Sequence, residues 1–98
     1  MPALSSYPNV ENTALLVIRS KGFRVWTDDG QQHWFAERDG WDFMADTPTE
    51  LLGLVAIFEF HRPQQYREYW WRIAEPFLLD STPTQPPDYR PIYATGNA

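Results

Sequence analysis

Residues 23–45 decide the fold: Phe23-Arg24-Val25-Trp26-Thr27, then Asp28-Asp29-Gly30, then the run from Gln32 to Arg38, then Asp39-Gly40, and last Trp41-Asp42-Phe43-Met44-Ala45. Phe23 and Val25 alternate with Arg24 and Trp26, the two-residue period of a strand. Asp-Gly tolerates the positive φ of primed turns, so both Asp-Gly steps read as hairpin connections. Three aromatic-rich runs parted by two such turns predict an antiparallel meander with strands at 23–27, 32–38 and 41–45.

Just downstream, Thr47-Pro48-Thr49-Glu50 has the form of a capping box with proline at the first helical position. Thr47 can accept from the Glu50 main-chain N–H, and the Glu50 carboxylate can reach back to the N–H of Thr47. The helix that follows, Leu51-Leu52-Gly53-Leu54-Val55-Ala56-Ile57-Phe58, is apolar almost all round, which predicts burial on more than one side. Gly53 costs about 1 kcal/mol there relative to alanine, which predicts a close approach of another backbone. Pro63 disfavours a helical Arg62 and ends the element near His61.

Upstream, Asn9 is placed to cap a helix over 10–21, with Val10, Ala14, Val17, Ile18 and Lys21 at three- and four-residue spacing and Gly22 at the left-handed exit. Leu15-Leu16-Val17-Ile18 also fits a strand. A third helix over 64–75 would put Tyr66, Tyr69, Trp70, Ile73 and Phe77 on one stripe, with Pro76 as its stop. The expected class is α+β: a three-stranded antiparallel meander packed against two or three helices. Residues 1–9 read as an irregular lead-in, 10–79 as a single α+β domain, and 80–98, with four prolines, as an extended Pro-rich tail.

Composition removes whole function classes. The 98 residues contain no cysteine, so a disulfide scaffold, a thiolate zinc site, an iron–sulfur cluster and a thiol nucleophile are excluded. A net charge of −5 argues against sequence-independent nucleic-acid binding, which needs a basic footprint. There is no apolar run of membrane-spanning length, and residues 1–20 lack the charged start and apolar centre of a signal peptide, so the expected setting is cytoplasmic. Arginine outnumbers lysine seven to one, a faint pointer to a GC-rich bacterial genome.

Catalytic and metal chemistry finds little to use. The serines sit near the termini or at helix ends, no glycine pattern cradles phosphate, and Asp28-Asp29-Gly30-Gln31-Gln32 does not match a calcium loop. Zinc would need His33 and His61 to converge with Glu37 or Glu59, which nothing in their spacing demands, no H-E-x-x-H pattern is present, and His61 suits a helix C-terminus. No catalytic residue, metal ligand or cofactor is expected, and the chain is read as non-enzymatic. A histidine held against a carboxylate in a cleft would revive the enzyme reading.

Two features remain. Seven acids and one base fall between Asp28 and Glu50, a local charge of −6, while the rest of the chain sums to +1. Turn and cap chemistry accounts for Asp28, Asp29, Asp39 and Glu50, which leaves Glu37, Asp42 and Asp46 as candidates for docking a basic partner. The second feature is an aromatic fraction of 16 % with five tryptophans. Aromatics fall on both phases of the strand alternation, and Trp70 and Trp71 on a helix would point about 100° apart. Two or more tryptophans should therefore stay exposed, as residues of interface hot spots do.

The expected partner-binding set is Trp26, Trp34, Glu37, Trp41, Asp42, Asp46, Tyr69, Trp70 and Trp71. The leading expectation is a small protein-interaction module of inhibitor or immunity type, with a protein partner or self-association and neither nucleic acid nor membrane. The alternatives are a small-ligand domain with an aromatic pocket near Trp26, Trp34 and Trp41, and a homo-oligomeric structural protein. Tryptophans contiguous on a convex face favour the first, and a concave slot favours the second. Pro86-Pro87-Asp88-Tyr89 has the form of a WW-domain ligand, but so short a motif is frequent by chance.

Overall fold

The computed structural model describes residues 2–94, so residues 95–98 of the expected tail and Met1 of the lead-in lie outside the described residues. The chain divides into two compact units, Ser6–Trp71 and a second that joins Met1–Ser5 with Arg72–Ala98. The larger unit runs α1 (Val10–Ser20), β1 (Arg24–Thr27), a short 3-10 turn (Asp29–Gln31), β2 (Trp34–Arg38), β3 (Trp41–Ala45) and α2 (Pro48–His61). It is an α+β meander: the strands are antiparallel in the order β1-β2-β3.

The β2–β3 connection is as the Asp-Gly signal implies. Asp39 (φ 54°) and Gly40 (φ 87°) form a two-residue primed turn that sets Arg38 opposite Trp41, and the rest of the register follows: Ala36 opposite Phe43, Phe35 opposite Met44. The β1–β2 connection is different. Asp28 holds a longer loop closed, its Oδ1 accepting the main-chain N–H of Gln32 and of His33, with Gly30 at φ 81°. This loop, and not a tight hairpin turn, delays the start of β2 to Trp34, while β1 runs Arg24–Thr27, one residue short at its other end.

α1 is a helix, and the strand reading of Leu15-Leu16-Val17-Ile18 is set aside. Asn9 does not cap it: its backbone is already helical and its side chain makes no capping bond. A turn takes that role, with the N–H of Val10 donating to the Tyr7 carbonyl and that of Glu11 to Pro8. Gly22 exits at φ 89°.

α2 starts where the sequence places it, with Thr47 Oγ1 accepting from the Glu50 N–H at 3.1 Å. The reciprocal half of the box is not made. Glu11 of α1 reaches across instead, its Oε1 accepting both the N–H and the hydroxyl of Thr49 at 2.9 Å. A second tie, Lys21 to Glu59 at 3.0 Å, joins the other ends of the two helices. Arg62 (φ 50°) closes α2 in the left-handed conformation, with its N–H on the Phe58 carbonyl.

Both helices lie on one face of the sheet, and the core is Ile18, Phe23, Ala36, Leu51, Val55 and Phe58. Burying a large aliphatic side chain such as Leu51 in it contributes about 1.5–3 kcal/mol. Contrary to the burial on more than one side expected of α2, a single stripe of Pro48, Leu51, Val55 and Phe58 is buried, while Gly53, Ala56, Ile57 and Phe60 face outward. Gly53 has nothing within 4 Å of where a Cβ would stand, so no backbone approaches it.

The expected third helix is absent: residues 64–71 form bends and a turn, with Tyr69 at φ 59° and the Trp70 N–H on the Arg67 carbonyl. A short segment between two prolines, rich in β-preferring aromatics, is a weak helix former. The turn lets the Trp70 ring enter the core edge-on to Trp41 and Phe58, while Trp71 stays outside. In the second unit, residues 78–82 make a turn in which the N–H groups of Ser81 and Thr82 share the Leu78 carbonyl.

Candidate functional site

Strand alternation sorts the aromatics by face. Val25, Ala36 and Phe43 point inward with Trp34 and Trp41, while the outward face carries two cross-strand rows. One is apolar: Trp26, Phe35 and Met44, each directly opposite the next, with the Trp26 and Phe35 rings stacked at 5.4 Å and nearly parallel. Trp26 is 47 % exposed and Met44 56 %. The other is charged: Arg24, Glu37 and Asp42. Arg24 holds Glu37 Oε1 at 2.6 Å, and the Gly40 N–H donates to Glu37 Oε2 at 2.9 Å. The Gly40 N–H first, and Arg24 second, keep the Glu37 carboxyl below the usual carboxylate range. Asp42 has no such cation beside it among the described residues.

Around the edge of β3 lies a groove of about 520 Å³. One wall is Gly40 of the β2–β3 turn with Trp41–Met44 of β3; the opposite wall is Leu54 and Ile57 of α2, and Tyr66, Trp70 and Trp71 close the rest. Trp70 is the hub, with Trp41, Phe43, Phe58, His61 and Trp71 rings all within 6.4 Å. Met44 belongs both to the outer apolar row and to the groove. The apolar side chains around β3 therefore form one belt, from Trp26 through Phe35 and Met44, around the strand edge, and on to Ile57 and Trp71.

The belt gathers Trp26, Trp41, Asp42, Trp70 and Trp71 of the expected set. Trp34 is turned inward and lines a separate depression together with Asp46, Glu11 and Pro48. Trp26 and Trp34 thus lie on opposite faces of the sheet, and the expected pocket near Trp26, Trp34 and Trp41 is not formed. Glu37 is occupied by Arg24 and Gly40. Tyr69 contacts Trp71 at 5.7 Å but faces another shallow depression, beside His61.

Phe35, Met44, Leu54, Ile57 and Tyr66 are the members that sequence reasoning missed. A signal for the first two was present: the Asp39-Gly40 turn sets Phe35 opposite Met44 by counting outward from it. No local signal marks Leu54, Ile57 or Tyr66.

Of the histidines, His33 Nδ1 lies 2.7 Å from Asp28 Oδ2 in the β1–β2 loop. The His33 side chain, and then the main-chain N–H groups of His33 and Gln32, hold the Asp28 carboxyl below its ordinary value. This pair stands on the surface of a loop whose closure it serves, not in a cleft. His61 packs edge-on against Phe60 and Trp70. Among the described residues no three His, Asp or Glu side chains gather as metal ligands, and no helix is long and apolar enough to cross a membrane.

Compared with known protein families, characterised proteins and solved structures, the chain finds no match.

Proposed function

We propose that the chain is a small non-enzymatic interaction module, of inhibitor or immunity type and cytoplasmic, that takes hold of a polypeptide partner through the belt around β3. The observation that carries this reading is the continuity of apolar surface from Trp26 and Met44 into the groove beside Trp71, with Asp42 at its margin. Exposed tryptophans set in an apolar patch and rimmed by charge are the composition of binding hot spots. An acidic rim adds selectivity for a basic partner and speeds the encounter.

The test is photo-crosslinking from Tyr66 or Met44, each replaced in turn by a benzophenone amino acid, in the native host. A discrete cross-linked polypeptide that disappears when Trp71→Ala and Ile57→Arg are introduced supports the module. Sedimentation equilibrium on the same protein separates self-association: a concentration-dependent dimer with Trp26 and Trp71 shielded from acrylamide would refute a separate partner.

The concavity of the groove favours a second reading, a small apolar ligand held among Trp41, Tyr66 and Trp71. Saturable binding of a neutral aromatic probe such as naphthalene, abolished by Ile57→Arg and accompanied by no polypeptide cross-link, would select it.

A further inference from the structure

We propose that the outer edge of β3 is a strand-addition site whose occupant is an extended segment of another polypeptide, apolar on both faces and basic opposite Asp42. This rests on the interaction reading and names the chemistry of the partner.

The hairpin sets the phase of the main chain. In a two-residue primed hairpin the closing pair exchanges both hydrogen bonds, and exchange then recurs at every second pair. Arg38–Trp41, Ala36–Phe43 and Trp34–Ala45 are therefore the bonded pairs between β2 and β3. The far side of β2 agrees: the Asp28 N–H donates to the His33 carbonyl at 3.4 Å, in phase with Trp26–Phe35 and Arg24–Glu37. The N–H and C=O groups of Asp42 and Met44 consequently point away from the sheet. Among the described residues, β2 is the only strand that pairs with β3.

An open strand edge invites pairing unless it is blunted, which proteins do with lysine, proline, a bulge or a cover. Within Trp41–Ala45 there is no lysine, proline or bulge, its one charged side chain is acidic, and Asp42 and Met44 are exposed. Instead, apolar side chains flank the edge on both sides. An added antiparallel strand would set one alternate set of side chains beside Met44, extending the Trp26-Phe35-Met44 row, and the other set into the groove against Ile57 and Trp71.

Charge selects the occupant. In the row Arg24-Glu37-Asp42, the first acid is matched by Arg24 and the second is not. The next place in that row belongs to the added strand, where a lysine or arginine would complete it. A second copy of this chain fits poorly, because antiparallel pairing of β3 with itself brings Asp42 opposite or diagonal to its own copy or, in the register centred on Met44, opposite position 46, another aspartate, in chains that each carry −5.

The probe is an end-blocked peptide centred on Thr-Val-Val-Lys-Val, its residues set opposite Ala45 to Trp41 in that order, titrated into the full chain and followed by amide NMR. Binding should slow hydrogen exchange at Asp42 and Met44. Replacing the probe's lysine by glutamate should weaken binding about tenfold, and Asp42→Lys should reverse that preference. N-methylation of the valine opposite Met44 should also weaken binding about tenfold, while N-methylation of the valine opposite Phe43 leaves it within about twofold, because only the first N–H faces β3. Binding that ignores the N-methyl position and leaves exchange at Asp42 and Met44 unchanged would overturn strand addition while keeping the groove as a binding surface. No binding by either peptide would overturn the inference, and the cross-link from Tyr66 would then judge the interaction reading separately. Protection of Asp42 and Met44 that grows with protein concentration alone would make the occupant a second copy and overturn the separate partner.

Discussion

Glu11→Ala tests the least local feature of the fold. Glu11 sits in the first turn of α1, yet its Oε1 takes both the N–H and the hydroxyl of Thr49 at the start of α2, 38 residues later. A capping acceptor at a helix N-terminus contributes about 1 kcal/mol. A negative charge placed there adds about 0.3–1 kcal/mol through the helix dipole. The site is partly buried, so water restores only part of what is lost, and the expected cost is about 1.5–2 kcal/mol. For a domain of this size each kcal/mol lowers Tm by roughly 4–8 °C, so the melting temperature should fall by roughly 6–16 °C.

The assay is thermal and urea unfolding followed by tryptophan emission and far-ultraviolet circular dichroism at neutral pH. Glu11→Gln keeps an acceptor oxygen and loses the charge, and should cost only about 0.3–1 kcal/mol. A double-mutant cycle with Thr49→Val should return a coupling of at least about 0.5 kcal/mol. Glu50→Ala, which removes the carboxylate that the capping-box motif nominates, should cost less than about 0.5 kcal/mol. A Glu11→Ala protein within about 0.3 kcal/mol of the parent, or a Glu50→Ala protein that loses more, would refute the cross-helix cap.

Three further outcomes follow from the geometry. Gly53→Ala and Gly40→Ala should have opposite signs, although neither position has an atom within 4 Å of the added Cβ: the first stabilises by about 0.8–1 kcal/mol in a helix interior, and the second destabilises by about 1–2 kcal/mol at φ 87°. Equal signs in urea unfolding would mean that backbone conformation is not what separates them. Leu51→Ala, at a fully buried position, should cost about 2.7–5 kcal/mol, and a midpoint shift equivalent to less than 1.5 kcal/mol would show that the core collapses around the missing side chain. Glu37 and Asp28 titrate below their ordinary values of 4.5 and 3.8 in the folded chain, so the unfolded chain takes up protons first as the solution is acidified. Their stabilisation is present above those values and is lost as pH falls through the depressed folded pKa values; Glu37→Gln with Asp28→Asn should flatten the acid limb of the stability profile, and an unchanged limb would show that these bonds do not persist in solution.

Much of this architecture was legible because its signals act over a few residues. Asp39-Gly40 specifies a turn whose two positive φ angles only such residues accept cheaply, and that turn carries the β2–β3 register with it. Thr47-Pro48 starts α2 by the same short-range chemistry, and Gly22 ends α1. The expectations that failed needed information from farther away. Asp28-Asp29-Gly30 resembles a tight turn, but the Asp28 carboxylate gathers the N–H groups of Gln32 and His33 and opens a longer loop. The 64–75 segment has helical spacing, yet the core gains more from Trp70 edge-on to Phe58 and Trp41 than a short aromatic helix could return.

The sequence by itself determined the α+β class, the meander, the start of α2, and the surplus of acid and tryptophan on which the proposed interaction surface draws. Only the tertiary structure decided which surplus residues share that surface. Alternation separates Trp34 from Phe35 and Trp26 from Val25, but relating Trp26 to Trp34 takes the β1–β2 register that the Asp28 loop sets; packing α1 and α2 against Phe43 and Ala36 turned Trp34 inward and left Trp26, Phe35 and Met44 on the outer face. Adjacency says that Trp70 and Trp71 diverge without saying which is buried. The groove exists because one tryptophan filled the space beside Phe58 and the other was left at the open edge of β3, a choice made by close packing between segments far apart in the chain.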